Sequence, residues 1–540
     1  MAFRTKIFKL MPWNGGTNTS LDPSIIPSHQ LTKAEHLLFG INAARNMRDG
    51  INFNWDSSTA NSGSNGETIL GLCDFWYGSS GVKTNFLMGV GSSGNLYQWN
   101  KQSGLRTTIP LASSSAGSSA TPWPQFNNRI SFEVMNNMLI FTGDQGGNFP
   151  RQYAPFLSSS AFDLQGSPPR MSFMREFMGR LWTNDKTLLD RANYCPPGDP
   201  NTWGGIGDSG AIDIGVGDGD PVGLSAIFPA FQNTLYIAKQ TKLYSITGYT
   251  PETYQINTIS DGIGCVSHNA AVAIDHDDII FLSEKGVHSL IGTIQFGDVE
   301  SKYLSKDIQG TINTSWTKSA LANAWGCYLS QINSVAFCVP DTNYAGTGNT
   351  AIWLYNLTHQ AWYVWPTIDC QSIVSSYDTD KRRFYLGTTT GRVAKTFNNT
   401  NYDISIAGVN AVITMTVKTG FIFPEENPMI VNAIKRFTLI WGPSGTVNVT
   451  ATIQIDNYTP QALNFAVTGT NNVLGVNFIL GSSPLGFKSV TEPYSQTIDG
   501  YGRSFQVTLI QSGQQAAVNI QGIAVEYEPL GPAQETITSG

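Results

Sequence analysis

The chain has 540 residues, with 54 Gly and 26 Pro, 13% charged residues and a net charge of −7. That length exceeds what one hydrophobic core fills, so two or more domains are expected, built from short strands joined by turns rather than from long helices. No run of 18 apolar residues exists for a membrane-crossing helix, no basic stripe exists for gripping phosphates, and the six cysteines lack metal-ligand spacing.

The first fifty residues read as an extended arm. Arg4, Lys6 and Lys9 are followed by Pro12, Trp13 and Asn14 before any apolar stretch of signal-peptide length, so no secretion signal is expected. Asn14-Gly15-Gly16 supplies candidate positive-φ turn positions, and Pro23 and Pro27 favour extended backbone around Ile25 and Ile26. Thr32 and Glu35 have capping-box spacing before His36-Leu37-Leu38-Phe39, which predicts a short helix. Such an arm cannot bury itself and must dock on something else. Trp13, Asn14, Gly15, Gly16, Asn18, Asp22 and Pro23 are its candidate assembly residues.

Between about residues 68 and 400 one pattern recurs: an apolar strand, a short polar turn, and a second strand opening on an aliphatic residue. Copies include Phe86–Val90 into Leu96–Trp99, Leu235–Ala238 into Leu243–Ile246, Ile279–Leu282 into Val287–Leu290, and Phe384–Gly387 into Val393–Ala394. Weaker copies begin at Met138, Leu181 and Ala351. A period of roughly 40–50 residues with about four strands per unit predicts a β-propeller of six to eight blades. The competing reading is a non-repeating stack of hairpins. From residue 401 the alternation is cleaner, as in Thr446–Ile455 and Ser504–Ile510, and residues 401–540 read as a β-sandwich. The expected fold is therefore all-β: arm 1–50, propeller 51–400, sandwich 401–540.

Candidate chemistry is sparse. Asp213, Asp218 and Asp220 lie in a Gly-rich loop where three carboxylates can wrap a hard cation, but their spacing is not that of an EF-hand, and a simple turn competes. His268 with Asp275, His276, Asp277 and Asp278 is a second cluster, most of it falling where a hairpin turn belongs. Trp353, Tyr355, Trp362, Tyr363 and Trp365 suggest a sugar platform or, better, blade-to-blade packing. No nucleophile elbow, zincin or Walker motif occurs, so no catalytic residue and no cofactor is assigned. Cys73, Cys195, Cys265, Cys327, Cys338 and Cys370 read as reduced, buried small hydrophobes of a protein made in cytoplasm.

Two stretches carry a family resemblance. The arrangement Asn14-Gly15-Gly16, Asn18-Thr19-Ser20, Asp22-Pro23, Ile26-Pro27 and Gln30-Leu31-Thr32 resembles the N-terminal arm of tail nozzle (tail tubular) proteins of short-tailed bacteriophages. Tyr501-Gly502-Arg503-Ser504-Phe505, Ile520-Gln521-Gly522-Ile523 and Glu526-Tyr527-Glu528-Pro529 resemble the C-terminal end of the same proteins. The resemblance implies a virion protein assembled in the host bacterial cytoplasm, six copies forming a ring below the portal adaptor. It further implies docking of tail fibres or spikes and a channel through which double-stranded DNA leaves. The acidic balance fits a conduit that does not grip DNA. The alternative is a glycan-binding or glycan-degrading phage propeller, a depolymerase or adhesin, because paired carboxylates can hide in any propeller.

Overall fold

The computed structural model describes residues 5–11, 13–39, 45–56, 67–79, 82–112, 128–143, 150–275, 277–299, 302–378, 381–443, 447–467, 492–513 and 518–532. Pro12 and His276 thus lie outside the described residues.

Short hairpins dominate the middle of the chain because their turns are chemically encoded. Asn136 and Asn137 both adopt positive φ, the backbone of a primed two-residue turn, between Ser131–Met135 and Met138–Thr142. The strands they join bury both faces: every residue of Leu235–Lys239 is buried, so the run is continuously apolar until its final lysine. Among the described residues these hairpins build seven blades in chain order, six of them separate small sheets and one, blade six, the end of a larger sheet. Blade one has the strands Ile69–Ser79, Val82–Gly91, Leu96–Trp99 and Arg106–Ile109. Blade two (131–163) takes in Leu111–Ala112 as a parallel edge strand, and blades three (174–213) and four (224–260) have four antiparallel strands each. Blade five (271–289) stops at three strands and continues into the helices Leu290–Phe296 and Gln309–Thr314. Blade six (325–366) has four strands of its own and blade seven (372–395) three.

The first strand of blade seven, Ser372–Tyr377, packs against the first strand of blade one, which closes the ring. Each blade interface has an apolar filling. Trp182, Tyr194 and Tyr244 lie between blades three and four, Phe228 and Phe281 between four and five, and Trp99 and Tyr385 between one and seven. The fold is an all-β, seven-bladed propeller.

The sandwich follows from period-2 alternation. In Val447–Ile455 every odd-numbered residue is buried and every even-numbered one is half-buried or exposed. One layer runs Leu37–Phe39, Arg45–Met47, Val518–Pro532, Ile430–Pro443, Glu492–Gly502, with Lys6–Leu10 also paired to Val518–Pro532. The facing layer contains Asn410–Thr419, Phe505–Gly513, Val447–Ile455 and Gln461–Val467. Phe437, Leu439 and Val525 from the first layer share a core with Val449, Ile453 and Val507 from the second.

The arm is woven between these parts. Leu31–Glu35 pairs parallel to Ala361–Pro366, the last strand of blade six, and antiparallel to Asn410–Thr419 of the sandwich. One ten-stranded sheet therefore runs from the propeller through the arm into the sandwich. A second junction lies at Asn52, whose backbone pairs with Lys395 of blade seven, while the neighbouring amide of Phe53 bonds Ile404. Trp13, Leu31, Ala34 and Leu37 are fully buried in a core shared with Tyr363 and Trp365 of blade six and Val417 and Phe437 of the sandwich.

Three sequence expectations are corrected here. Leu31–Glu35 is a strand, not the start of a helix. The capping-box side chains are used elsewhere: Thr32 Oγ1 donates to the Lys418 and Thr419 carbonyls, and Glu35 accepts from Lys33 at 2.9 Å and Tyr344 at 3.2 Å. Strand pairing on both sides outweighs a local capping signal, and His36 (φ 52°) turns the chain into the opposite layer. Second, Asn14, Gly15 and Gly16 are not among the positive-φ residues. Gly15 and Gly16 are required by close approach: a Cβ on Gly15 would strike the His29 carbonyl, and one on Gly16 the Trp362 backbone. Gly16→Ala is expected to lower the free energy of unfolding by roughly 3 kcal/mol through overpacking. Equilibrium denaturation checks this, and a loss under 1 kcal/mol would show that the arm is seated differently. Third, Cys338 and Cys370 are not reduced thiols but a disulfide, with Cα atoms 6.1 Å apart. Their spacing carried no signal because the turn from blade six into blade seven brings them together.

Candidate functional site

The three loop carboxylates do not converge. Asp213 forms a two-pronged ion pair with Arg191 on the adjacent strand, at 2.7 and 3.0 Å. Asp220 accepts from the amide of Val222 and from the amide and hydroxyl of Thr241, tying one turn to the next. Asp218 accepts from the Tyr244 hydroxyl and the Asp220 amide and lies 3.0 Å from the Lys239 ammonium. That ammonium is fully buried and also donates to Asp190 at 2.6 Å and the Gly215 carbonyl at 2.9 Å. Lysine thus supplies the positive charge at this loop. Among the described residues no group of three or more His, Cys, Asp or Glu side chains is arranged to hold a metal ion.

The second cluster is split by the strand Ala271–Ile274. At one end His268 is buried, stacked on Phe173 with ring centroids 5.0 Å apart, and its Nδ1 accepts from the Ile227 amide. Burial, aided by the nearby Arg175 charge, holds its pKa well below the usual histidine value, so the ring is neutral. At the other end Asp278 accepts from the Ile279 and Ile291 amides and the Ser289 hydroxyl, fastening the start of the helix Leu290–Phe296.

The aromatic run is core. Trp353, Tyr355 and Trp362 face blade five, while Tyr363 and Trp365 face the arm and sandwich. Their polar edges are engaged inside, Trp353 with Asp341, Trp362 with the Leu304 carbonyl and Trp365 with the Leu37 carbonyl. No sugar platform exists at these rings.

The arm residues meet other parts of the same chain. The amides of Thr17 and Asn18 donate to the carbonyls of Trp362 and Leu31, and those of Thr19 and Ser20 to Asp307. Asn18 Oδ1 caps the Ser20 and Leu21 amides, Asp22 caps Ser24, and the Pro23 carbonyl accepts from the Phe421 amide. Arg45 is completely buried, donates to the Gly15 carbonyl and lies near the Trp13 and Phe39 rings, 5.6 and 4.5 Å from their centroids. Burial lowers its pKa to about 9.

The feature that sequence reading missed is a cavity of about 250 Å³ at the propeller axis, where the segments entering blades two to six converge. Arg129, at the entry to blade two, donates to the Asn323 carbonyl at 3.0 Å and to Gln371 Oε1 at 2.8 Å, at the entries to blades six and seven. Asn269, entering blade five, donates to the Ile130 carbonyl of blade two at 3.4 Å. These bonds join non-adjacent blades, so they cross the axis and close it. A second cavity of about 220 Å³ shares Val222, Ser225, Val266 and Ala322 with the first. Only ring closure brings these residues together, and the faint signal in the sequence is the Asn or Ser before successive first strands, as at Asn128 and Ser267.

This architecture defines the chain as a seven-bladed propeller joined to a β-sandwich by its own N-terminal arm. No family model and no curated protein matches the chain. Among solved structures, it is similar to the WD40 propeller domain of Doa1 at 10% identity and TM-score 0.38, covering 66% of this chain and 97% of that one. It is also similar to the extracellular domain of a putative one-component system of B. thetaiotaomicron, at 11% identity and TM-score 0.38, covering 62% of this chain and 41% of that one. An exo-β-1,3-galactanase from Phanerochaete chrysosporium aligns over 89% of this chain and 99% of its own, at 10% identity and TM-score 0.26. Likenesses at these scores carry no argument about activity.

Proposed function

We propose that this chain is a structural subunit of the tail nozzle of a short-tailed bacteriophage, six copies forming the distal ring through which DNA leaves. The observation that supports this reading is the continuous sheet from blade six through the arm strand Leu31–Glu35 into the sandwich. Strands hydrogen-bonded on both sides resist shear, which suits a part that carries mechanical load and performs no catalysis. In this reading the portal adaptor sits above the ring, tail fibres or spikes dock on it, and duplex DNA passes without being held.

Negative-stain imaging of the purified chain tests the assembly, with six-fold rings expected; a chain that stays monomeric or trimeric at high concentration overturns it. The net charge of −7 also predicts weak duplex binding with little salt dependence, because few counterions are released. Submicromolar affinity that falls steeply with salt would reveal a cationic face and contradict the sliding conduit.

A second reading, a glycan-binding propeller, is favoured by one observation: an axial cavity whose wall carries several amide and hydroxyl side chains. Assembly state together with a glycan-binding or cleavage assay separates the two readings.

A further inference from the structure

We propose that copies of this chain join edge to edge through the sandwich, with Lys6–Leu10 of one copy adding as a strand beside Glu492–Gly502 of the next. The inference rests on the ring reading above and names the interface that builds the ring.

Topology is the first reason. Lys6–Leu10 runs antiparallel to Val518–Pro532, that strand antiparallel to Ile430–Pro443, and that one antiparallel to Glu492–Gly502. Among the described residues the first and last of these strands pair on one side only, so they are opposite edges of one layer. They also run in opposite directions. Two copies set side by side in the same orientation therefore bring the edges together antiparallel, as in every other pair of that layer. Because the two edges differ, the contact is heterologous: it repeats from copy to copy and closes into a ring where the rotation between neighbours permits. Left uncovered, such edges are open to unselective strand addition.

Side chains are the second. Lys6–Leu10 carries two lysines and no acid, Glu492–Gly502 two acids and no base. An antiparallel ladder that sets Lys9 against Asp499 also sets Ile7 against Tyr501, Phe8 against Gly500 and Leu10 against Ile498. That single register matches both faces. On the outer face Lys9 and Asp499 are exposed and, among the described residues, in no ion pair, while Ile7 and Tyr501 are 71% and 58% exposed. A charge pair and an aliphatic–aromatic pair thus form from side chains that otherwise meet solvent. On the inner face Leu10 and Ile498 are both buried. Glu492–Gly502 keeps this alternation through its bulge opposite Ile434–Arg436, with Thr497, Asp499 and Tyr501 exposed and Ile498 and Gly502 buried. The Asp499 carbonyl accepts from the Gln461 side chain at 2.5 Å, a bond that a backbone amide of the neighbouring copy would take over.

Charge reversal in the full-length protein, read by sedimentation velocity and negative-stain imaging, tests the proposal. Lys9→Glu and Asp499→Lys are each expected to weaken ring assembly about tenfold or more, because like charges then face each other. Both side chains are exposed, so the circular dichroism spectrum of each variant should match the parent's. Combining Lys9→Glu with Asp499→Lys restores the pair in reverse and should recover the parent's assembly. A covalent measurement needs no charge: Ile7→Cys together with Tyr501→Cys should cross-link neighbouring copies in a glutathione redox buffer, and neither change alone should. Parent rings that survive both single reversals, or single losses that the double variant fails to rescue, would overturn this interface and leave the ring reading standing. No cross-linked ladder from the paired cysteines would overturn the register. Cross-linking by Ile7→Cys alone would indicate a two-fold contact and overturn the head-to-tail assignment. A parent chain that forms no ring would overturn both the interface and the ring reading.

Discussion

Replacing Trp13 by alanine is expected to destabilise the protein by about 3–5 kcal/mol, the cost of deleting a fully buried indole. The indole lies in the core shared by the arm, blade six and the sandwich, so its loss weakens the joint between the two domains more than either domain alone. Arg45, completely buried and close to the Trp13 ring, would lose part of its cation–π environment, and among the described residues its Nε and Nη1 have no hydrogen-bond partner to compensate. Calorimetry should therefore show the sandwich melting ahead of the propeller, two resolved transitions in place of a coupled one. Trp13→Phe should recover much of the loss by refilling the space. A cost below 1 kcal/mol for the alanine variant would mean that the arm does not carry the joint.

Lys239→Met should cost about 3 kcal/mol, because it strands Asp218 beside Asp190 without the buried ammonium between them. The figure sits at the low end of the range for broken buried pairs because Asp190 is about a third exposed and water screens it. Burial alone would raise the Asp218 pKa, but the Tyr244 hydroxyl, the Asp220 amide and Lys239 together hold it below 3.8. Its contribution is therefore present above pH 3.8 and lost as pH falls through the lower folded value. For Lys239, burial pushes the pKa down but Asp190 and Asp218 outweigh it, leaving it above 10.5. That contribution is complete below pH 10.5 and lost as pH rises through the folded value. Lys239→Met should flatten both limbs of the stability profile. Chelation by EDTA should leave the melting temperature unchanged in the parent protein and in an Asp218→Asn, Asp220→Asn double variant. A chelator-induced drop of several degrees, abolished in that double variant, would mean that a cation is held there after all, since an ion at a hundred times its dissociation constant adds about 2.7 kcal/mol.

Blade strands were legible because their signals are local. Leu96–Trp99 is a strand over the same residues in sequence and structure, and Leu243–Ile246 extends by one residue. Seven copies of the hairpin pattern correspond to seven blades because each copy carries its own turn chemistry and apolar run. The sandwich strand Val447–Ile455 was equally plain, since period-2 alternation marks a sheet with one buried face. Local reading failed at Thr32 and Glu35, where a capping signal of about 1 kcal/mol met a strand slot with partners on both sides. It also misread Gly15 and Gly16, whose need for a missing Cβ is created by His29 and Trp362, the latter more than 340 positions away.

By itself, then, the sequence determined the all-β class, the repeating hairpins, the sandwich alternation and an arm unable to stand alone. Each of these is set by residues within one strand or turn of one another. Only the tertiary structure decided where the arm lies, that Cys338 meets Cys370, that Lys239 stands among the loop carboxylates, and that Arg129 ties blade two to blades six and seven beside the axial cavity. Those contacts join segments brought together by the packing of neighbouring blades, by ring closure and by the threading of one strand between two domains. No local pattern encodes such proximity, because its free energy is realised only when the separate segments pack.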